Sequence, residues 1–372
     1  MKVGITCYPT YGGSGIVATE LGMELAARGH EVHFVSYANP IRLNPESPRL
    51  HYHEVEVSNY PLFQYPPYCL ALASRMAEVA DTAGLDLLHV HYAIPHAISA
   101  LLARQMMAGR RRLPFLTTLH GTDITLVGAD RSYLPITRFS IEQSDGVTAI
   151  SRYLQERTVA VFGVSNPIRV IHNFVNCQTY RRHPDPRARD RWARAEEKIL
   201  VHLSNFRPVK RVSDVVRVLA RLQPRLPCRL LMIGDGPDRG PAEYLARELG
   251  VASQVEFLGK QNRIPELLGI ADLMLLPSEM EGFGLAALEA MACGVPTVAA
   301  RTGGLPELIT DGVDGLLAPV GDIEALSDLA YSLLADQDRW ARFSAAARST
   351  AETRFESTRI IPQYEEYYRE VG

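Results

Sequence analysis

The chain has 372 residues, 47% of them apolar and 22% charged, and a formal net charge of −3. That length exceeds one ordinary hydrophobic core, so two domains are expected. A near-neutral chain lacks the basic field of a nucleic-acid or membrane-surface protein, so neither partner is expected. Its five cysteines (Cys7, Cys69, Cys177, Cys228, Cys293) are odd in number and never in C-x-x-C spacing, which indicates neither a disulfide framework nor a zinc site and fits a reducing cytoplasm.

In chain order, K-V-G-I-T-C reads as a strand that breaks into glycines after one strand's length, so the N-terminus is not expected to be a signal peptide. G-G-S-G follows at 12–15, then a helix over 16–28 with Val17, Leu21 and Leu25 on one face and Gly29 as its C-terminal glycine. Glycines between a strand and a helix start either make a tight turn or let backbone N–H groups approach an anion, which gains roughly 0.3–1 kcal/mol from the helix dipole. A dinucleotide is disfavoured there. The G-x-G-x-x-G spacing is absent, and the next strand, E-V-H-F-V-S-Y, ends in Ser36 and Tyr37 where a ribose-binding acid would stand. The strand L-D-L-L-H-V-H-Y, a helix over 97–107, the strand P-F-L-T-T-L-H, a helix near 136–144 and the strand G-V-T-A-I-S come next, then a further helix and the strand R-V-I-H-N-F-V.

A polar stretch rich in Arg and Pro, 180–194, leads into a second half with the same grammar. It reads K-I-L-V-H-L-S, a helix over 212–222, C-R-L-L-M-I-G, a helix over 241–249, Q-V-E-F-L-G, a helix over 264–270, D-L-M-L-L-P, a helix over 283–292 and P-T-V-A-A. The apolar run 283–300 contains Glu289, Gly294 and Pro296 and is not a membrane span. The alternation predicts an α/β protein of two Rossmann-like doubly wound domains, with ligands at the C-terminal ends of the strands and in the cleft between the domains. The expected boundaries are 1–172, 173–354 and a tail, 355–372, that packs back on the first domain and in which Pro362 breaks or starts a helix.

Several strand ends carry candidate chemistry. S-N-F-R-P-V-K-R puts Arg207, Lys210 and Arg211 at the mouth of the second half's first strand. Such a loop is either simply solvated or a phosphate site, where each charge-assisted hydrogen bond contributes about 1.5–3 kcal/mol. E-G-F-G-L-A-A-L-E sets Glu281 and Glu289 around a helix start whose glycines, Gly282 and Gly284, would let it approach a diphosphate. Carboxylates beside such an anion need other partners, and sugar hydroxyls serve, so a nucleotide sugar satisfies every element. H-G-T-D, 120–123, is either a plain turn or a strand end that aims His120 at a ligand. His89 and His91 share a strand face in H-V-H-Y, but no acidic ligand is close in sequence; no metal is expected, and Tyr92 is the better ligand candidate.

Together, E-x7-E (Glu281, Glu289), the glycine loop, the basic pair, G-D-G-P (234–237), A-C-G-V-P-T-V and G-G-L-P-E (303–307) resemble the retaining GT-B glycosyltransferases of family four over nearly the whole chain. Within that family G-I-T-C-Y-P-T-Y-G-G-S-G, H-E-V-E-V, Q-Y-P-P-Y, H-V-H-Y-A-I-P-H-A, T-T-L-H-G-T-D-I-T, S-N-F-R-P-V-K-R and F-L-G-K-Q are similar, almost letter for letter, to the subgroup that transfers GlcNAc to L-malate in bacillithiol biosynthesis. The resemblance implies a GT-B fold and transfer of GlcNAc from UDP-GlcNAc to the malate hydroxyl with retention. It also implies that no metal or other cofactor is required, a cytoplasmic enzyme and a homodimer.

By position, the resemblance implies that Arg207 and Lys210 hold the diphosphate, Glu289 the ribose and Glu281 the GlcNAc hydroxyls, with Gly282, Phe283, Gly284 and Leu285 lending backbone amides. His120 would touch the sugar, the backbone around Arg263 would read the uracil edge, and Gly13 and Asn205 would complete the donor set. The family's small-anion pocket maps to Ser14, Tyr92, Thr118 and Arg138. A guanidinium suits a carboxylate, yet Arg138 is equally spaced for an i,i+4 surface pair with Glu142, which contributes only about 0.3–0.5 kcal/mol. The usual arginine of the basic motif aligns with Asn205, two positions before Arg207, a shift the subgroup shares. The same fold with another acceptor such as inositol phosphate, a UDP-GlcNAc epimerase and a nucleotide-sugar sensor are the alternatives.

Overall fold

The computed structural model describes residues 1–10, 12–43, 47–57, 61, 62, 64–125 and 127–372, so Tyr11 of the first glycine motif lies outside the described residues. The chain divides into two compact units, 1–172 with 360–372, and 173–359.

The first unit is built on β1 (Lys2–Thr6), β2 (Glu31–Ser36), β3 (Leu50–Glu54), β4 (Leu87–His91), β5 (Phe115–Leu119), β6 (Gly146–Ala149) and β7 (Ile168–Val170). They form one parallel sheet in the order β3-β2-β1-β4-β5-β6-β7. Strands β4, β5 and β6 are buried along their whole length, as strands covered by helices on both faces must be. The helices are α1 (Gly13–Ala27), α2 (Tyr68–Ala83), α3 (Ile98–Met106), α4 (Thr122–Thr125), α5 (Leu134–Gln143) and α6 (Arg152–Phe162).

The second unit has β8 (Lys198–Leu203), β9 (Cys228–Ile233), β10 (Val255–Gly259), β11 (Leu273–Leu276), β12 (Thr297–Ala300) and β13 (Gly315–Ala318), parallel in the order β10-β9-β8-β11-β12-β13. Its helices are α7 (Val212–Leu222), α8 (Arg239–Glu248), α9 (Ile264–Gly269), α10 (Leu285–Ala292), α11 (Leu305–Leu308), α12 (Ile323–Leu334) and α13 (Gln337–Arg354). Helix α7 shows why these segments are helical. Val212, Val215, Val216, Leu219 and Leu222 recur at helical spacing, and all are buried in the core under the sheet.

Two expectations change. Helix α1 starts at Gly13, so G-G-S-G is a cap and first turn rather than a loop before position 16. Gly12 is the extended cap, and a Cβ on Gly15 would sit 2.4 Å from the Tyr8 carbonyl; only glycine lets the turn close on β1 so early. Pro362 neither breaks nor starts a helix: it lies inside α14 (Ser357–Val371). Proline forfeits one intrahelical bond there, but Ile361, Tyr364 and Tyr368 of the same helix are fully buried.

Candidate active site

In an open parallel sheet, adjacent loops diverge where the strand order reverses, and that crevice at the C-terminal ends is the natural ligand position. The reversal falls between β1 and β4 in the first unit and between β8 and β11 in the second. Residues expected at the site gather at both places.

In the first unit, Ser14 from the start of α1 donates its hydroxyl to the Tyr92 hydroxyl at 2.9 Å, joining the loops after β1 and β4. Thr122 stands 3.2 Å from the same phenol oxygen. Tyr92 has φ 90°, a conformation L side chains rarely adopt, which indicates that its surroundings fix the ring in place. His120, just past β5, pairs its Nε2 with His91 Nδ1 at 2.7 Å, and its ring lies 5.4 Å from that of Tyr92. Burial pushes His120 down to about 3 and His89 likewise, so both imidazoles are neutral near pH 7. Gly13 is exposed at the first position of α1.

The H-G-T-D turn is more than a plain turn. Asp123 is buried and accepts from the backbone N–H groups of Gly121 at 2.9 Å, Ala93 at 3.1 Å and His120 at 3.2 Å. It therefore ties the loops after β4 and β5 together, and burial raises its carboxyl to about 6 against the pull of those bonds. Asp123 was not among the expected site residues; its place three residues after His120 was the available signal.

Two acceptor candidates are not brought into this group. Thr118 is fully buried in β5, its hydroxyl 2.7 Å from His89 Nε2 and 2.6 Å from that of Thr148. Arg138 is half exposed on α5 and makes the i,i+4 pair with Glu142 at 3.0 Å. A core strand position and a helix's solvent face account for the two placements.

In the second unit, Lys210 donates to Glu281 Oε1 at 2.6 Å, with the two side chains only 20% and 11% exposed. Ser278 donates to the same oxygen at 2.8 Å, and the Glu279 N–H reaches the Val209 carbonyl at 2.8 Å, so the loops after β8 and β11 are stitched together. Glu289, buried on α10, accepts from the Tyr180 hydroxyl at 2.5 Å. Both carboxylates of E-x7-E thus have protein partners. Tyr180 carried no sequence signal for this role, whereas Ser278 stands three residues before Glu281.

Gly284 caps α10 at φ 98°, Phe283 is buried edge-on against Phe355 at 5.5 Å, and Gly282 and Leu285 flank them. Gly304 packs against the Gly282 carbonyl, where a Cβ would sit 2.3 Å away. Glycines at 234 and 236 let the loop after β9 close on Ser204 and Asn205, whose carbonyls would lie 1.8 and 2.3 Å from added Cβ atoms. The side-chain oxygen of Asn205 is buried and, among the described residues, has no hydrogen-bond partner. Arg207 is exposed before the short turn Pro208–Lys210, and Arg263 caps α9 with its guanidinium on Glu266.

Residues 11–179 match the family Glycosyltransferase Family 4, and residues 185–350 match Glycosyl transferases group 1. The chain is 48% identical to N-acetyl-alpha-D-glucosaminyl L-malate synthase of Bacillus anthracis over all of its own length and 97% of that protein. It is 31% identical to a GDP-mannose-dependent alpha-(1-6)-phosphatidylinositol monomannoside mannosyltransferase of Mycolicibacterium smegmatis, over 79% of this chain and 80% of that one. Among solved structures, sucrose-phosphate synthase from Thermosynechococcus elongatus superposes with a TM-score of 0.83 at 23% identity, covering 100% of this chain and 99% of that one. The two parallel-sheet units are those of the GT-B glycosyltransferase fold. Among the described residues no helix is long and apolar enough to cross a membrane.

Proposed function

Because the chain belongs to the family 4, group 1 glycosyltransferases, we propose that it moves GlcNAc from UDP-GlcNAc to the hydroxyl of L-malate, with retention at the anomeric carbon. The observation that carries this reading is the 48% identity to the Bacillus anthracis synthase across the entire chain. The geometry supports it. A lysine and a carboxylate meet where the second sheet reverses, and a glycine-capped helix starts four residues after that carboxylate.

In the proposed reaction the bond from the anomeric carbon to the diphosphate oxygen breaks on the face where the malate oxygen forms its bond. The malate proton passes to a departing phosphate oxygen. Lys210 and Arg207 stabilise the charge that gathers on the leaving group, and the α10 start adds its N–H groups. Donor binding draws Lys210 from Glu281 to the diphosphate, which frees Glu281 for the GlcNAc hydroxyls. Glu289 takes the ribose hydroxyls, and the backbone at Arg263 takes the uracil. His120, held neutral, is a hydrogen-bond partner for the sugar rather than a charge. Ser14 and Tyr92 line the acceptor side; Arg138 serves malate only by leaving Glu142, and Thr118 acts from beneath by fixing His89. With cations of the chain at the diphosphate, the reaction requires no metal. We place the enzyme in the cytoplasm, as a homodimer.

The test is mass spectrometry of the product from UDP-GlcNAc and L-malate with assignment of its anomeric configuration, alongside UDP release with inositol phosphate as acceptor. An α-linked GlcNAc-malate product is expected. UDP release that depends on inositol phosphate and not on malate would replace the acceptor. Donor turnover without any acceptor would point to epimerisation, and UDP-GlcNAc binding without turnover to a sensor.

A further inference from the structure

The edge of the first sheet, away from the strand-order reversal, carries four polar side chains on one face. Glu31 and His33 alternate along β2 and His51 and His53 along β3, with His33 opposite His51 and Val35 opposite His53 in the register. The His33 ring stacks on His51 at 4.5 Å and on His53 at 5.2 Å. Three ligand atoms converge there. His33 Nε2 is 3.1 Å from Glu31 Oε1, His51 Nε2 is 3.7 Å from the same oxygen, and all three lie within 4.8 Å of one another. Among the described residues no other group of three or more His, Cys, Asp or Glu converges so closely.

The spacing is informative. A tetrahedral cation with bonds of about 2.1 Å has ligand–ligand edges of about 3.4 Å, and the two measured edges, 3.1 and 3.7 Å, straddle that length. Outer contacts already orient the ligands. Lys2 Nζ holds the other Glu31 oxygen at 3.3 Å and donates to the Ala83 carbonyl at 3.0 Å. Without a cation the 3.1 Å contact is Nε2–H donating to Glu31; a proton carried instead on Nδ1 and donated to His53 Nε2, 2.9 Å away, would free the Nε2 lone pair for a cation. Metal-bound histidines are fixed by this kind of second contact. His51 and Glu31, with side chains 40% and 33% exposed, leave the position open to solvent.

We propose that Glu31, His33 and His51 bind a borderline divalent cation of the zinc class, with water as fourth ligand, and that it pins the edge strand β3 to β2. Two imidazoles and one carboxylate are a ligand set zinc takes with one position left to water. The site is separate from the sugar-transfer residues and does not rest on the proposed reaction.

Metal analysis of the full-length protein, equilibrated with zinc chloride and desalted, should find one zinc per chain. His51→Ala and Glu31→Gln should each weaken zinc by at least about tenfold in competition with a chromophoric chelator, and His53→Ala by about 10–100-fold through loss of the second contact. Cobalt(II) in place of zinc should show ligand-field bands without thiolate charge transfer, and UDP release should be unchanged in EDTA and in His51→Ala. Zinc should raise the melting temperature of the wild type and leave that of His51→Ala unmoved. A wild type that retains no zinc, zinc retained equally by His51→Ala, or a thiolate charge-transfer band would each overturn the assignment.

Discussion

Lys210 and Glu281 show how a resting site stores its charges. At 2.6 Å and mostly out of water, each is the other's counter-ion until an anion competes for the lysine. Lys210→Ala removes the cation but leaves Ser278 on Glu281 Oε1. Turnover measured as UDP release is expected to fall about 10²–10³-fold, the usual loss for one preorganised charge-stabilising donor, while the circular-dichroism spectrum stays native. Near-normal turnover would exclude the charge role. Tyr180→Phe probes the other acid: Glu289 loses its 2.5 Å bond, and stability measured by urea unfolding should drop by about 1.5–3 kcal/mol, the range for a hydrogen bond to a charged group. The buried histidines make a pH prediction. Burial holds His89 and His120 at about 3, His96 and His202 at about 4 and His91 well below the ordinary value. The unfolded chain takes up those protons below about pH 6.5 while the folded chain does not, so stability present above that pH is lost as pH falls toward 4. Asp123, raised to about 6 by burial, acts with the opposite sign between its ordinary value and 6, and Asp314, also raised by burial, acts in the same sense as Asp123, but they are two groups against five. The slope is up to about 1.4 kcal/mol per pH unit for each histidine, and the urea midpoint should be clearly lower at pH 5.5 than at pH 7.5. A flat midpoint would show that these rings are not held neutral.

Continuous apolar runs made the central strands legible, because a parallel strand covered on both faces has nothing else to be; β4, β5, β11 and β12 were expected within a few residues of where they lie. Edge strand β3, L-H-Y-H-E, had no such run, since its partly exposed residues are polar. Helix α2 and helices α12 and α13 were not among the expected elements, although α2 places Leu72, Met76 and Val79 in the core at helical spacing and α12 opens on an Asp322 cap; the signal was present. The donor-side motifs were legible as chemistry, but not the partners that hold them, because Tyr180 reaches Glu289 across 109 positions of sequence. Glycines around E-x7-E have a different logic, that of close approach. At Gly303, φ is 55° and a Cβ would lie 1.9 Å from the Glu281 carbonyl, whereas at Gly312, φ is 80° and, among the described residues, nothing stands within 4 Å of an added Cβ. Gly312→Ala should therefore cost only the left-handed penalty of about 1–2 kcal/mol. Gly303→Ala should cost more than that, and should also weaken UDP binding by calorimetry because the Glu281 loop must move. Equal melting temperatures for the two variants would show that the loop does not depend on this contact.

The first unit is discontinuous in sequence, and its last piece supplies core rather than trim. Tyr364 and Tyr368 of α14 are fully buried, and the Tyr368 hydroxyl lies 2.7 Å from His89 Nδ1 in the central strand β4. Tyr367 accepts the Val147 N–H of β6 at 3.1 Å with its ring under the Arg169 guanidinium, and Glu365 is paired with Arg28 at 2.8 Å and His30 at 2.9 Å. Fully burying a large side chain contributes about 1.5–3 kcal/mol, so two tyrosines contribute up to about 3–6 kcal/mol. That is a large fraction of the net stability of an ordinary domain, about 5–15 kcal/mol. A fragment of residues 1–172 should consequently fail to unfold cooperatively, with poor amide protection in hydrogen exchange, because β4 and β6 would expose the face that α14 covers. Adding a peptide of residues 357–372 should restore protection at β4 and β6 first. A fragment of residues 173–359 encloses its own sheet and helices and should melt cooperatively alone. If 1–172 by itself showed native-like protection at Val90 and Val147, the helix would be an attachment to a finished core, and the contacts of His89 and Val147 with α14 would carry little of the stability assigned to them.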